Sequence, residues 1–429
     1  MGSMCAKEET VKKKSMIRPA YAGLLSAMVF LVALNLRPAI VAVGPLLETL
    51  GNDLGWGESA QGMLAAMPLL AFAAMSPLVR FITMRIGEDG AVALALIFIA
   101  VGAGMRSAGG STVVWVGTLV VGCAIAVGNV LVPAIVKRDY AGHVSAATGL
   151  YSGCITAGSA IASLTAASMA AQWGGWRPAL AFWALPALVV AILWSVRIVA
   201  RRHISVVSDI PSDRRPMKDG DCTHDRKAVP AGRPETNSET QKSIPLWHRP
   251  MTWWVTAFMG LQSSAFYTMS NWLPSIASSA GFDTGEAGRQ LFVFQVVGVF
   301  SGLLIPRLMN VRGNQVVAAL TSSLPMAIAG LGWLCMPSLS MLWAFVGGCG
   351  QGAALVVALA LIALRGRTQS ETVALSGIAQ SLGYLLASVG PSLFGVLAEH
   401  TGGFHAPLTF FVAVAVIQCV VALRVGRNA

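Results

Sequence analysis

Charge is scarce in this sequence. Asp, Glu, Lys and Arg make up 11% of its 429 residues, against about 25% in soluble globular domains. That shortfall excludes a water-soluble fold. Cysteine offers no framework: the seven cysteines (Cys5, Cys123, Cys154, Cys222, Cys335, Cys349 and Cys419) form no CxxC or other ligand-spaced group, so neither disulfides nor a metal centre is expected. The six histidines (His143, His203, His224, His248, His400 and His405) fall between apolar runs or at their ends, which leaves no imidazole relay at membrane depth. No Asp or Glu sits in the middle of an apolar run, so the buried carboxylate of a proton-coupled carrier is missing. Paired acids, metal clusters and activated nucleophiles are equally lacking, which argues against a membrane-embedded enzyme. No cofactor is expected.

What is present is apolar. Hydrophobic residues make up 55% of the chain, in runs that approach or reach the ~20 residues a helix needs to cross a bilayer. Polar punctuation divides them into twelve spans: 20–50, 58–82, 90–108, 112–136, 144–171, 178–200, 251–279, 287–308, 314–336, 339–364, 370–398 and 406–425. The fold class is an all-α polytopic membrane protein of twelve transmembrane helices. Residues 1–19 and 426–429 are tails; residues 201–250, polar and rich in Pro and charge, read as a disordered linker. The net charge of +11 does not point to nucleic acid. Its carriers cluster in alternate connections: Arg80 and Arg85; Lys137 and Arg138; Arg201, Arg202 and the linker; Arg307 and Arg312; Arg365 and Arg367. The positive-inside rule places these connections and both termini in the cytoplasm.

The two halves repeat one another. Pro45 and Pro77 are 32 positions apart, as are Pro274 and Pro306. Lys137 and Arg365 each precede a glycine (Gly149, Gly377) by 12 positions, and "GGWRP" and "GGFHAP" open the sixth and twelfth spans. Two six-helix lobes, 20–200 and 251–425, fit a monomeric carrier that rocks about a site near the midplane.

One charge breaks the apolar pattern. In "LVALNLRPAIVAVGPLL" Arg37 sits mid-span with Pro38 behind it, where an arginine costs at least ~2.5–3.5 kcal/mol. Glu48 is the nearest acid, about three turns away along the helix. Arg37 can bond carbonyls freed by Pro38, or snorkel outward, or await an anionic substrate, for which its planar fork is suited. Arg106, near the outer end of the third span, is expected to snorkel. Asn35 is about 200° round the helix from Arg37 and is expected to reach a neighbouring helix. Matching prolines between the halves sets Phe266 opposite Arg37, with Tyr267 at similar depth. Gln262 and Asn271 share that seventh span. Asn129, Tyr151, Gln295, Gln351, Gln380 and Tyr384 are further polar interruptions of apolar helices. Inter-helix hydrogen bonding is the ordinary use of such residues; the alternative is a pocket closed around a small anion. Arg85, Lys137, Arg138 and Arg365 are candidates for a gate in the basic loops. Pro38, Pro45 and Pro274 are expected to bend the helices that carry them, and Gly347 and Gly348 to permit close packing.

The motifs "NLRPAI..VGPLL", "LVPAIVKRDY", "GLYSG" and "LSGIAQSLGYLLASVGP" resemble the cyanate and 2-nitroimidazole transporter family of the major facilitator superfamily. The resemblance covers nearly the whole chain outside the N-terminal tail and the linker. It implies the superfamily's twelve-helix fold in a bacterial inner membrane and a small-molecule solute, with cyanate-like anions and nitroimidazoles as precedents. Two transport readings follow: an anion carrier with Arg37 as its main contact, and an efflux carrier for neutral aromatic drugs in which Arg37 is structural. The superfamily's basic signature between the second and third spans is degenerate in "MRIGED", where acids replace the basic pair and Met84 replaces the Asp. A charge latch at that loop is therefore not expected.

Overall fold

The computed structural model describes residues 23, 25–140, 144–208, 246–309 and 314–427. The N-terminal tail and residues 209–245 of the linker lie outside them, whereas 201–208, expected as disordered linker, continue the sixth helix. The described chain is helical throughout, in twelve spans that we number α1 to α12: Leu25–Leu54, Glu58–Met75, Val79–Ala108, Ser111–Asp139, Val144–Gln172, Trp176–Arg201, Pro250–Ser279, Thr284–Leu308, Val316–Cys335, Pro337–Arg365, Gln369–Thr401 and His405–Val425. Ten are long and apolar enough to cross a membrane. The two below that hydropathy, α2 and α7, both line the seam between the lobes.

Backbone chemistry explains where α1 breaks. Pro38 has no N–H to give the Leu34 carbonyl, and Arg37 leaves the helical region at φ −120°, ψ −26°. A short turn, Pro38–Val41, then gives way to a 3₁₀ segment at Gly44–Leu46, and the helix resumes at Leu47–Leu54. The break strands two carbonyls, and each finds a neighbour. Gly158 of α5 lies directly against the Leu34 carbonyl, where any β-carbon would collide with it. The Ala39 carbonyl accepts Nη1 of Arg106 at 2.8 Å. Pro274 behaves differently from its repeat partner Pro45: it stays inside an unbroken α7. The Ser270 carbonyl that Pro274 deprives of a donor is covered by Gly44 of α1. Gly87, at φ +73°, makes the sharp turn between a short helix on the basic face and the main run of α3.

The lobes meet along α2 against α11, α5 against α8, and the broken stretch of α1 against α7. Glycine sets the spacing. Gly62 and Gly395 bring α2 and α11 into backbone contact near the face opposite the basic loops, with Gly395 also against the Glu58 carbonyl. Among the described residues two hydrogen bonds cross this seam: Ser59 N–H to Glu399 Oε2 at 2.7 Å, and Ser381 Oγ to the Ala73 carbonyl at 2.9 Å. The first caps the N-terminus of α2 with a carboxylate from the other lobe. Gly348 performs the expected close packing between α10 and α8, and Gly347 packs against the side chains of Phe294, Ala329 and Trp333; Gly352, one turn on, meets the Gly298 backbone.

The basic face of the first lobe carries a charge network that the degenerate loop did not lead us to expect. Glu88 and Asp89 of "MRIGED" receive Arg138 at 2.9 and 3.0 Å. Arg197, wholly buried in α6, reaches Asp139 at 2.6 Å, Asp89 at 3.4 Å and the Leu25 carbonyl at 2.7 Å, and stacks on Trp194. Arg201 completes the set on Asp139. Glu88 and Asp89 follow the Gly87 turn, Asp139 ends α4, and the bases lie on α4 and α6.

Two outcomes test this packing. Arg197→Met would leave Asp139 with a reduced partner set and lower stability by about 3 kcal/mol, read as a fall in the unfolding temperature of the purified protein. Gly395→Leu would wedge α2 from α11 and favour the form open at the face opposite the basic loops. Spin labels at Asn52→Cys and Ser279→Cys, in a background without native cysteines, would then report a longer distance than in the parent.

Candidate functional site

The helix break in α1 presents Arg37 to the seam. Its guanidinium carbon lies 4.5 Å from the centroid of Phe266 and 5.4 Å from that of Tyr267, both on α7 of the opposite lobe. Repeat alignment set Phe266 opposite Arg37, and the geometry agrees. Phe72 of α2 stands edge-on to Tyr384 (centroids 5.2 Å apart) and Tyr267 (6.3 Å), and Phe266 stands edge-on to Tyr267 at 4.9 Å. The phenols of Tyr151, Tyr267 and Tyr384 all lie within electrostatic reach of Arg37. Three of the chain's five tyrosines thus converge on one cation.

Gln262, Ser263, Gln351 and Leu355 join Arg37, Phe266, Tyr267 and Tyr384 around a space of about 10 Å³, room for about one water. Arg37 forms no ion pair or hydrogen bond with any described residue. It therefore does not bond the carbonyls that Pro38 frees. The Tyr267 hydroxyl is buried without a partner. Arg37 is half-buried; its cation–π contacts are worth about 1–2 kcal/mol and leave its charge without an opposite charge in the protein. The site is left with an unneutralised charge and an unused phenol O–H. No carboxylate or imidazole lines the space.

The other polar candidates divide. Gln262 gives its amide to Ser263 Oγ at 2.7 Å, and Gln351 to the Phe294 carbonyl at 3.3 Å, so both are held while lining the site. Asn271 donates to the Tyr267 carbonyl at 2.7 Å and faces a separate cavity one turn along α7. Gln295 is fully buried against Ser270, Gln380 is tied to Ser376, and Asn129 is half-buried; none of the three reaches the Arg37 space. Asn35 bonds the Leu31 carbonyl of its own helix, not a neighbour. Arg106 does not snorkel: it is 1% exposed, held inside the lobe by the carbonyl that the α1 break releases.

At the basic face, Arg138 belongs to the charge network, while Arg85 and Lys137 are exposed without ion pairs to described residues. Arg365 bonds Gln315 and the carbonyls of Val425 and Arg427, which pins the end of α12 within its own lobe. Sequence reasoning missed the Arg197–Asp139 pair; the signal was an arginine inside the apolar run "AILWSVRIVA". Phe72 was missed too, and a phenylalanine in an apolar helix carries no signal of its own.

Known proteins with the same architecture are transporters. The family description Major Facilitator Superfamily matches residues 23–388. An uncharacterized transporter of Bacillus subtilis, YycB, is 33% identical, covering 94% of each chain. A 2-nitroimidazole transporter of Escherichia coli is 30% identical over 94% of this chain and 95% of its own. The cyanate transport protein CynX of the same organism is 25% identical over 92% and 95%. The crystal structure of a D-xylose–proton symporter superposes with a TM-score of 0.69 at 14% identity, over 94% and 97%. With two six-helix lobes, membrane-spanning helices throughout and full-length relatives of this kind, the chain belongs to the Major Facilitator Superfamily and is a multi-pass membrane transporter.

Proposed function

We propose that this transporter carries a small anion through the seam by alternating access, with the Arg37 guanidinium as its main electrostatic contact. The observation behind this reading is the uncompensated charge of Arg37 inside an aromatic enclosure drawn from both lobes. A small anion, cyanate-like or carboxylate-like, answers each deficiency at once. Its terminal O or N atoms accept from the guanidinium fork and from the Tyr267 O–H, and its body lies against Phe266 or Phe72. Lobes 20–200 and 251–425 rock about this point, with the linker, the basic loops and both termini in the cytoplasm of a bacterial inner membrane and the Ser59–Glu399 contact outside. The protein works as a monomer. The relative named for cyanate supports the anion class.

A second reading rests on the arene faces. The relative named for 2-nitroimidazole carries an uncharged planar ring bearing a nitro group, whose two oxygens resemble a carboxylate in shape. Export of such a compound would use the aromatic walls, with Arg37 as a polar contact or a structural one.

Proteoliposome uptake of labelled cyanate and benzoate separates the two. Arg37→Gln is expected to lower anion kcat/KM at least about a hundredfold, consistent with losing a charged hydrogen-bond partner worth about 3 kcal/mol. Arg37→Lys would keep the charge without the fork and recover part of it. If both variants transport anions normally while a nitroimidazole is still exported, the second reading stands instead. Tyr267→Phe would raise anion KM about fivefold or more by removing one donor, with no change in unfolding temperature, because its hydroxyl bonds nothing in the protein.

A further inference from the structure

Arg106 is a second buried cation on the same side of the seam, and its surroundings contrast with those of Arg197. Arg197 meets two carboxylates, a carbonyl and a tryptophan face. Arg106, equally buried, has one hydrogen bond, from Nη1 to Ala39; Nε and Nη2 have no partner, and no acid pairs with it among the described residues. A guanidinium has five N–H donors, so a single carbonyl does not account for it. Holding the α1 break would need one donor and no charge.

The unused donors belong to a residue that lines a small cavity of about 10 Å³, with Ile40, Val43, Pro68, Thr118 and Asn271. Pro68 comes from α2 and Asn271 from α7 of the other lobe, so the cavity straddles the seam and widens when the lobes part there. Its place is ordered. Asn271 lies four residues beyond Tyr267 and bonds its carbonyl, about one helical turn, or 5.4 Å, along α7. One residue further, Trp272 lines a vestibule of about 300 Å³ together with Glu48, Glu58, Gln61 and Ser275. Outer vestibule, Arg106 cavity and Arg37 enclosure therefore follow one another along α7. The two vestibule carboxylates would repel an anion at the mouth, and Arg106 is the first cation inside them.

We propose that Arg106 is a second anion-binding station, one turn outward of Arg37, that the transported anion occupies briefly while the outer seam is open. The proposal rests on the anion reading of the Arg37 site. It assigns Arg106 an effect on one side of the membrane only, because on the inward path the anion reaches Arg37 without passing it.

The test is the KM for labelled cyanate in right-side-out and inverted membrane vesicles, with benzoate as a second probe. Arg106→Gln removes the charge and keeps an amide able to bond the Ala39 carbonyl. It is expected to raise the outer KM about tenfold and leave the inner KM within about twofold; Arg106→Lys should restore most of the outer affinity. Equal KM values on both faces in Arg106→Gln, whether both unchanged or both raised, would overturn the proposal. Should that variant fail to fold, Arg37→Gln with Arg106 intact carries the test by thermal stabilisation. A weak, saturable cyanate effect that Arg106→Lys changes in the same background supports the station, and none at all overturns it. Normal anion transport by Arg37→Gln would instead sink the reading of the Arg37 site, and this proposal with it.

Discussion

The cost of holding a positive charge in a medium without water governs this structure. Three arginines are held within the first lobe or at its seam, and each is treated differently. Arg197 is neutralised by Asp139 and Asp89 near the basic face. Arg106 receives one carbonyl. Arg37 receives only the faces of Phe266 and Tyr267. Compensation falls in that order, and the least compensated cation is the one that lies between the lobes. A charge whose partner is built in serves folding; a charge whose partner must arrive serves binding. On the proposed reading of Arg37, the gradient from Arg197 to Arg37 separates the two uses within a single lobe.

Proline and glycine make that arrangement possible. A continuous α1 would satisfy its own carbonyls and leave Arg106 nothing to hold. Breaking it at Pro38 turns Arg37 toward the seam and releases the carbonyls that Gly158 and Arg106 then cover. At Pro274 the same chemistry has a different result, because α7 stays unbroken and Gly44 covers the exposed Ser270 carbonyl from the other lobe. One substitution type thus yields a bend in one lobe and a docking point in its repeat. The neighbour that covers the orphaned carbonyl decides which.

Much of this was legible in the sequence, and the limits are physical. Twelve apolar runs and alternating basic loops gave the span count, because burial in lipid forces a strong one-dimensional signal. Repeat alignment placed Phe266 and Tyr267 opposite Arg37, since pseudo-symmetry turns sequence offset into depth. The fates of Gln295, Gln380 and Asn129 depend on rotation about the helix axis and on which helix packs alongside, and neither is encoded within a span. Arg106 was misread for a related reason: its depth suggested snorkelling, but the carbonyl that captures it belongs to a residue 67 positions away. The pairing of Arg197 with Asp139 spans 58 positions and is equally invisible locally. Charge networks assembled from helix ends are the part of such folds that single-sequence reading recovers least.

The caged guanidinium also has a consequence for voltage. Arg37 sits near the middle of the chain's membrane depth, so switching the open side changes which solution shares its potential. When an anion neutralises it, that switch moves no net charge across the field. When the arenes alone hold it, the switch moves one positive charge, and a field of 100 mV weighs on that step by up to ~2.3 kcal/mol. On the proposed anion reading, membrane potential would then drive the return of the empty carrier and leave the loaded step alone. The field would bias the empty carrier toward the state in which the cation faces the more negative solution, while the anion's own gradient sets the direction of net flux.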